Sequence, residues 1–501
     1  MVKRVGGALL LALAIDRGSA RPVSTQLYVG LRDLILSGGL AAGDRLPASR
    51  TLARELGLSR TTVIDAFERL VADGLIESRV GSGSFISEAL RAERPRPPSA
   101  AHKTGTAGRQ RRLSRAMTLA VERFGERPRL PHVPRAFTTA LPDFAGFPMA
   151  QWAQLSAKHW RGARDEVMGY GEPFGHRHLR RTIAAHLRAN RGISCEAEQI
   201  FIVGGAQQAF HLIGSVLLNP GDKVWFENPG AIGARNSLIA CAADLVPVPV
   251  DREGLRVEDG LALSRRFRLA FVTPSHQQPL GNVMSLARRF ALLRAAEQAG
   301  AWIIEDDYDG EFFFGGQPLP TLKSVDTTGL VIYVGTFSKS LFPALRLGYM
   351  LVPPALVATF EKIMSAYLQG VASYLQAVVA EFIDEGHFAT HLRRMRRIYA
   401  ERHETLCEAA RGRLAGLLDV VPAQSGLHTI ALMPARLSEA AVARAADKRR
   451  ITVSPIARFA IEPIDVSGLV LGFGATSPQQ IRGGVAVLAE VLETLAFRKA
   501  S

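Results

Sequence analysis

The sequence predicts an α/β protein in two parts: a small helical head closed by a β-hairpin, and a large domain on a mainly parallel, doubly wound sheet. Three observations carry the prediction. Apolar residues recur at helical spacing between Pro22 and Asp73 and give way to a strand-like run with a glycine tip. From Pro142 onward, short β-like runs alternate with helical stretches. Within that alternation, Val331–Val334 leads into Gly335–Gly348, GTFSKSLFPALRLG, where a lysine stands among small and hydroxyl residues.

At 501 residues the chain has room for about three domain-sized units. A 47% hydrophobic content supplies buried cores and excludes a disordered chain. The formal net charge of +15 calls for a strongly basic surface and an anionic partner, either nucleic acid or a phosphorylated ligand. Cys195, Cys241 and Cys407 fit neither a metal-binding pair nor a disulfide framework, so a reducing cytoplasm is the expected compartment. Met1–Ala20 places basic residues before an apolar run, as a signal peptide does. Asp16-Arg17 and the folded pattern that follows predict instead a first strand leading into the head at Pro22. No other run is apolar enough to span a bilayer, so no membrane partner is expected.

The head is expected over residues 1–87. Leu27, Leu31 and Ile35, with Tyr28, trace one face of a helix that ends near Gly38-Gly39. A turn at Gly43–Pro47 leads to a second helix with Leu52 and Leu56, broken at Gly57. A third runs from about Ser59 to Asp73, with Val63, Ala66, Phe67 and Leu70 on one face. Leu75–Ile86 then reads as a hairpin, which completes a winged helix-turn-helix. Arg60, Thr61 and Thr62 would enter the major groove of double-stranded DNA. Arginine there reads base edges, and threonine reaches phosphates or a thymine methyl. Arg50, Arg79 and the tip, Gly81, Ser82 and Gly83, would meet the backbone or the minor groove.

A small helical domain with a solvated basic face would share this periodicity, so the motif must decide. LPASRTLARELGLSRTTVIDAFERLVADGLIESRVGSGSFI resembles the GntR-type winged helix-turn-helix across its whole length. One departure is Ile64, where some relatives carry a second DNA-contacting arginine.

Residues 88–134, rich in Pro, Ala, Ser, Thr, Gly and Arg without apolar periodicity, read as a semi-extended basic linker. The second domain is expected over residues 135–501, with strands at Gln199–Val203, Lys223–Phe226, Leu245–Val248, Leu269–Val272, Ala301–Ile304 and Val331–Val334. Ligands of such sheets sit at the carboxyl ends of the strands.

There the residue types suit pyridoxal 5′-phosphate. Lys339 offers an amine that can form a Schiff base with an aldehyde, and Asp306 a carboxylate to keep a pyridine nitrogen protonated. Tyr308 could donate to the ring's 3′-oxygen. Thr336, Ser338 and Arg346 would line the phosphate, joined by the N–H groups of Gly205, Ala206 and Gln207 at a helix start. Tyr170 is a candidate second phosphate ligand. His387 and His391 have helical metal-ligand spacing but no third ligand, so no metal is expected.

YGEPFGHRHLR, GGAQQAF, NPGDKVWFENPG, TPSHQQPLG, IIEDDYDGEFFF and GTFSKSLFPALRLGY resemble segments of fold type I aminotransferases. Joined to a GntR-type head, the chain is similar to the MocR subfamily of transcriptional regulators, the GabR or PdxR type. The resemblance implies a smaller C-terminal α+β subdomain and a homodimer in which each cofactor site borrows residues from the partner subunit, Tyr170 among them. It also implies promoter DNA as a partner and a small-molecule effector, either pyridoxal phosphate or an amino acid or amine. Vitamin B6 supply or amino-acid metabolism is the process implied.

Three positions depart from the pattern. Ala231 stands where an aromatic usually stacks on the ring, and Gly204 where many relatives have serine. Val470 falls where an arginine grips a substrate carboxylate. Catalytic residues beyond Lys339 are not expected, and a sensor is favoured over an enzyme. A working aminotransferase with an accessory DNA-binding domain, and a purely architectural DNA-binding dimer, are the other two readings.

Overall fold

The structure, a computed structural model, describes residues 13, 15–79, 83–91, 114–127, 130–131, 133–162, 168–315, 318–434 and 437–500. They fall in two compact units, Met1–Arg111 and Arg112–Ser501.

In the first unit, helices α1 (Val23–Ser37), α2 (Ser49–Leu56) and α3 (Arg60–Ala72) precede a hairpin of β1 (Ile76–Arg79) and β2 (Gly83–Ile86). Leu27, Leu31 and Ile35 of α1 pack with Leu52, Val63, Leu70, Ile76 and Ile86 in one core. Gly57 ends α2 at φ 63°, a left-handed conformation open to glycine at little cost. At the start of α3, Ser59 Oγ accepts from the Thr62 N–H at 3.1 Å, a cap worth about 0.5–2 kcal/mol. The predicted first strand falls mostly outside the described residues. Arg17–Ala20, which are described, form a turn and bend rather than a strand. The wing tip, including Gly81 and Ser82, also lies outside the described residues.

The second unit opens with a helix, α4 (Arg115–Arg123), inside the stretch read from sequence as a featureless linker. Its buried residue is Ala120, while Met117, Leu119 and Val121 are exposed, so no apolar stripe announces it. The principal sheet has eight strands in the order β3-β10-β9-β8-β7-β4-β5-β6. These are β3 (Ile200–Val203), β4 (Lys223–Asn228), β5 (Asp244–Asp251), β6 (Gly254–Leu255), β7 (Leu269–Val272), β8 (Trp302–Asp307), β9 (Val331–Thr336) and β10 (Gly348–Leu351). All six predicted strands are present, and β4, β5, β7, β8 and β9 run parallel.

Sequence reading missed β10, which lies antiparallel between β3 and β9 and pairs Gly348 with both Val203 and Thr336. Toward the C-terminus, β11 (Asp419–Val420), β12 (His428–Leu432), β13 (Ser454–Pro455) and β14 (Gly468–Gly472) form an antiparallel four-stranded sheet, ordered β11-β12-β14-β13. Among the described residues no helix is long and apolar enough to cross a membrane.

Beneath the carboxyl end of β8, Arg191 is ion-paired with buried Asp307, which also accepts a hydrogen bond from the Tyr333 hydroxyl. A buried carboxylate that loses its counter-charge keeps its desolvation cost. Arg191→Met is therefore expected to destabilise the domain by about 3–5 kcal/mol in urea unfolding, with much of the loss recovered in the Arg191→Met, Asp307→Asn double variant. Equal stability of the two variants would refute this coupling.

Candidate cofactor site and nucleic-acid interface

Parallel strands bring their carboxyl ends to one edge, and here those ends carry the chemistry. Strand β8 delivers Asp306 and then Tyr308. Strand β9 ends at Thr336, whose hydroxyl accepts from the Ser338 N–H at 3.2 Å and starts the short turn that presents Lys339. Beyond β3, Gly205 at φ 101° turns the chain into the helix Ala206–Leu217. Gly205, Ala206, Gln207, Asp306, Tyr308, Thr336, Ser338, Lys339 and Arg346 line one cleft, so nine of the ten predicted cofactor residues come together.

Tyr170 does not join them: it is 95% exposed and lies outside the lining of that cleft. The helical spacing of His387 and His391 brings no shared ligand site, because the His391 Nε2 lies 3.0 Å from the Ser340 carbonyl and His387 pairs with Glu385.

The electrostatics suit the proposed roles. Burial lowers the Lys339 amine to a pKa of about 8; Asp309 and Asp306 pull it back up while Arg127 pushes it further down. Its Nζ donates to the Ala140 carbonyl at 2.5 Å. Burial, then Asp307, Asp309 and Glu227, push the Asp306 carboxyl well above the usual range, and Asp306 Oδ1 is buried without a hydrogen-bond partner. A cationic N–H donor at that oxygen would remove both costs, which is what a protonated pyridine nitrogen offers. The residues therefore fit pyridoxal phosphate.

Some polar groups around the cleft were not anticipated. Tyr308 Oη lies 3.0 Å from His276 Nδ1, itself 2.9 Å from Asp309 Oδ2. His428 is buried against His276, and its pKa is pushed down to about 3, chiefly by burial, so it stays neutral. Ligand atoms of His276, Asp309 and His428 lie within 4.8 Å of one another, a clustering that only the fold creates. Arg127, from the stretch read as linker, and Arg458 also line the cleft.

The departures also lie at the site. Ala231 lines the cleft and presents only a methyl group. Val470 lines an adjoining space with Gln278, Tyr308, Lys339 and His428; among the described residues lining it, Lys339 is the one cation.

In the first unit Arg60 and Thr61 are exposed at the start of α3, and Arg50 is exposed on α2. Thr62 is partly committed to the cap, its hydroxyl 2.7 Å from Ser59 Oγ. Arg79 lies over the Phe85 ring at 5.0 Å and Arg45, from the turn before α2, over the same ring at 5.9 Å, so two cations flank the wing near Gly83. Arg45 was not among the predicted contacts.

Comparison with known proteins agrees with both halves. Residues 23–86 match the model of the bacterial regulatory proteins of the gntR family, and residues 139–481 that of the class I and II aminotransferases. The probable rhizopine catabolism regulatory protein MocR of Rhizobium meliloti is 40% identical over 94% of each chain. The pyridoxine biosynthesis transcriptional regulator PdxR of Corynebacterium glutamicum is 28% identical over 97% of this chain and 99% of its own. Among solved structures, Pyrococcus horikoshii kynurenine aminotransferase is similar at a TM-score of 0.67 and 27% identity, over 72% of this chain and 90% of its own.

Proposed function

We propose, from the premise that this chain belongs to the MocR subfamily of GntR-type transcriptional regulators, that it is a cytoplasmic homodimer in which occupancy of the cofactor cleft controls promoter binding. The carrying observation is the contrast within that cleft. Lys339, Asp306 and Tyr308 are assembled for pyridoxal phosphate, while Val470 and neutral His428 leave the adjoining space without a guanidinium for a substrate acid. Pyridoxal phosphate itself is then the effector. Lys339 would anchor it, Asp306 would serve the ring nitrogen and Tyr308 the 3′-oxygen, and Thr336, Ser338, Arg346 and the helix N-terminus would hold the phosphate. When bound, the cofactor supplies an aldehyde carbon for an amine and an electron-withdrawing ring. In the dimer, exposed Tyr170 would reach the partner's cleft.

Control of DNA binding requires that the cofactor favour one of two conformations. The test is a titration of the full-length protein against its own promoter DNA with and without pyridoxal phosphate. Equal affinity in both conditions would refute the reading.

The lysine gives a second check. The neutral amine is the nucleophile, and below its pKa its fraction falls about tenfold per pH unit. Covalent uptake should therefore accelerate as pH rises and level off above about 8. Stopped-flow absorbance would show it, and a flat profile would mean that another group limits attachment.

The intact Lys339, Asp306 and Tyr308 set also supports the aminotransferase reading. Sustained keto-acid formation from an amino acid, abolished by Lys339→Ala, would favour it.

A further inference from the structure

We propose that Arg127 is a phosphate ligand of the cofactor cleft, carried there by the strap of chain that follows α4. This rests on the reading above that the cleft takes up pyridoxal phosphate.

Arg127 lines the same cleft as Thr336, Ser338, Lys339 and Arg346. Among the described residues neither Arg127 nor Arg346 is hydrogen-bonded or ion-paired with a carboxylate. The neighbouring charges are engaged elsewhere: Glu126 pairs with Arg458 at 3.6 Å and Arg123 with Asp244 at 3.9 Å. Arg127 and Arg346 repel each other; burial first, and the Arg346 cation next, lower the Arg127 pKa. Two converging guanidinium groups without an acid between them suit a dianion, which each can meet through paired N–H donors.

The strap is built to place this side chain. The Gly125 N–H donates to Asn236 Oδ1 at 2.8 Å, and Asn236 Nδ2 donates back to the Gly125 carbonyl at 2.9 Å. Arg235 Nη1 donates to the Ala460 carbonyl at 3.0 Å, fixing the helix Ile232–Ala240 under the strap. A Cβ at Gly125 would sit 3.2 Å from Ile232 Cγ2, so the strap backbone packs tightly on that helix. The backbone two residues before Arg127 is thus pinned, while the guanidinium itself is left for a ligand to hold. Phosphate held by Arg127 would add a second tether to the clamp at Gly125, so filling the cleft and holding the strap in place reinforce each other.

The test uses the full-length protein freed of cofactor, in native, R127Q and R127K forms, titrated with pyridoxal phosphate and with pyridoxal, which lacks the phosphate. Lysine-bound cofactor is followed by absorbance and residues 115–127 by hydrogen exchange. R127Q is expected to weaken pyridoxal phosphate about tenfold or more while leaving pyridoxal within about twofold, and R127K to recover part of the loss. Pyridoxal phosphate should slow exchange in residues 115–127 of the native chain but not of R127Q. Equal weakening of both ligands, or of neither, overturns the proposal while leaving the proposed function standing. A native chain that takes up no pyridoxal phosphate overturns both.

Discussion

Lys339→Ala is expected to abolish covalent retention of pyridoxal phosphate. After borohydride treatment the native chain should carry the added mass on the peptide containing residue 339, and the variant should carry none. The physical case is local. Lys339 is the amine that the β9 turn presents to the cleft, its pKa is lowered by burial to about 8, and Asp306 lies in the same lining. Alanine keeps the turn, because the Thr336 cap uses the Ser338 backbone rather than the lysine. Circular dichroism and a cooperative urea-unfolding transition would confirm that the variant is folded. An adduct with the same spectrum in the variant would move the attachment site to another residue.

Arg60→Ala is the second large effect. Arg60 is exposed at the first position of α3, where a recognition helix meets base edges, and a bidentate arginine contact is worth about 1–3 kcal/mol. Promoter affinity should fall by about tenfold to a hundredfold, with cofactor uptake unchanged because the residue belongs to the other unit. Fluorescence anisotropy at fixed salt is the measurement, since affinity for DNA depends steeply on ionic strength. Unaltered affinity would shift recognition to the wing, where Arg45 and Arg79 flank Phe85.

The legible parts of the fold were those with strong local periodicity. The three head helices repeat apolar residues at one face, and each parallel strand contains a short apolar run, so both classes announce themselves. Strand β10 did not, because GYML follows directly on the lysine motif and reads as its tail. Helix α4 did not, because what it buries is one alanine.

The same division runs through the site. Lys339, Asp306 and Thr336 were legible because they sit at strand ends. His276, Asp309 and His428 come from three separated segments, and their proximity is a product of the sheet crossings rather than of any spacing. Arg127 stayed hidden because its neighbourhood is compositionally a linker, and only the Gly125–Asn236 clamp shows that it is docked.

The insertion of β10 between β3 and β9 makes one residue the spacer of the whole site. Gly348 pairs with Val203 on one side and Thr336 on the other, the last strand residues before the helix Ala206–Leu217 and the lysine turn. A Cβ there would stand 3.0 Å from the Gly335 carbonyl oxygen and 3.1 Å from Gly205 Cα, so nothing larger than hydrogen fits without parting the two halves. The interval between the start of the helix Ala206–Leu217 and the turn that carries Lys339 is therefore fixed by backbone hydrogen bonds within a sheet. Such a sheet does not stretch to report what it holds. Under the proposed function, the message that the cleft is filled would leave through the rim around it, while the floor keeps the measure constant.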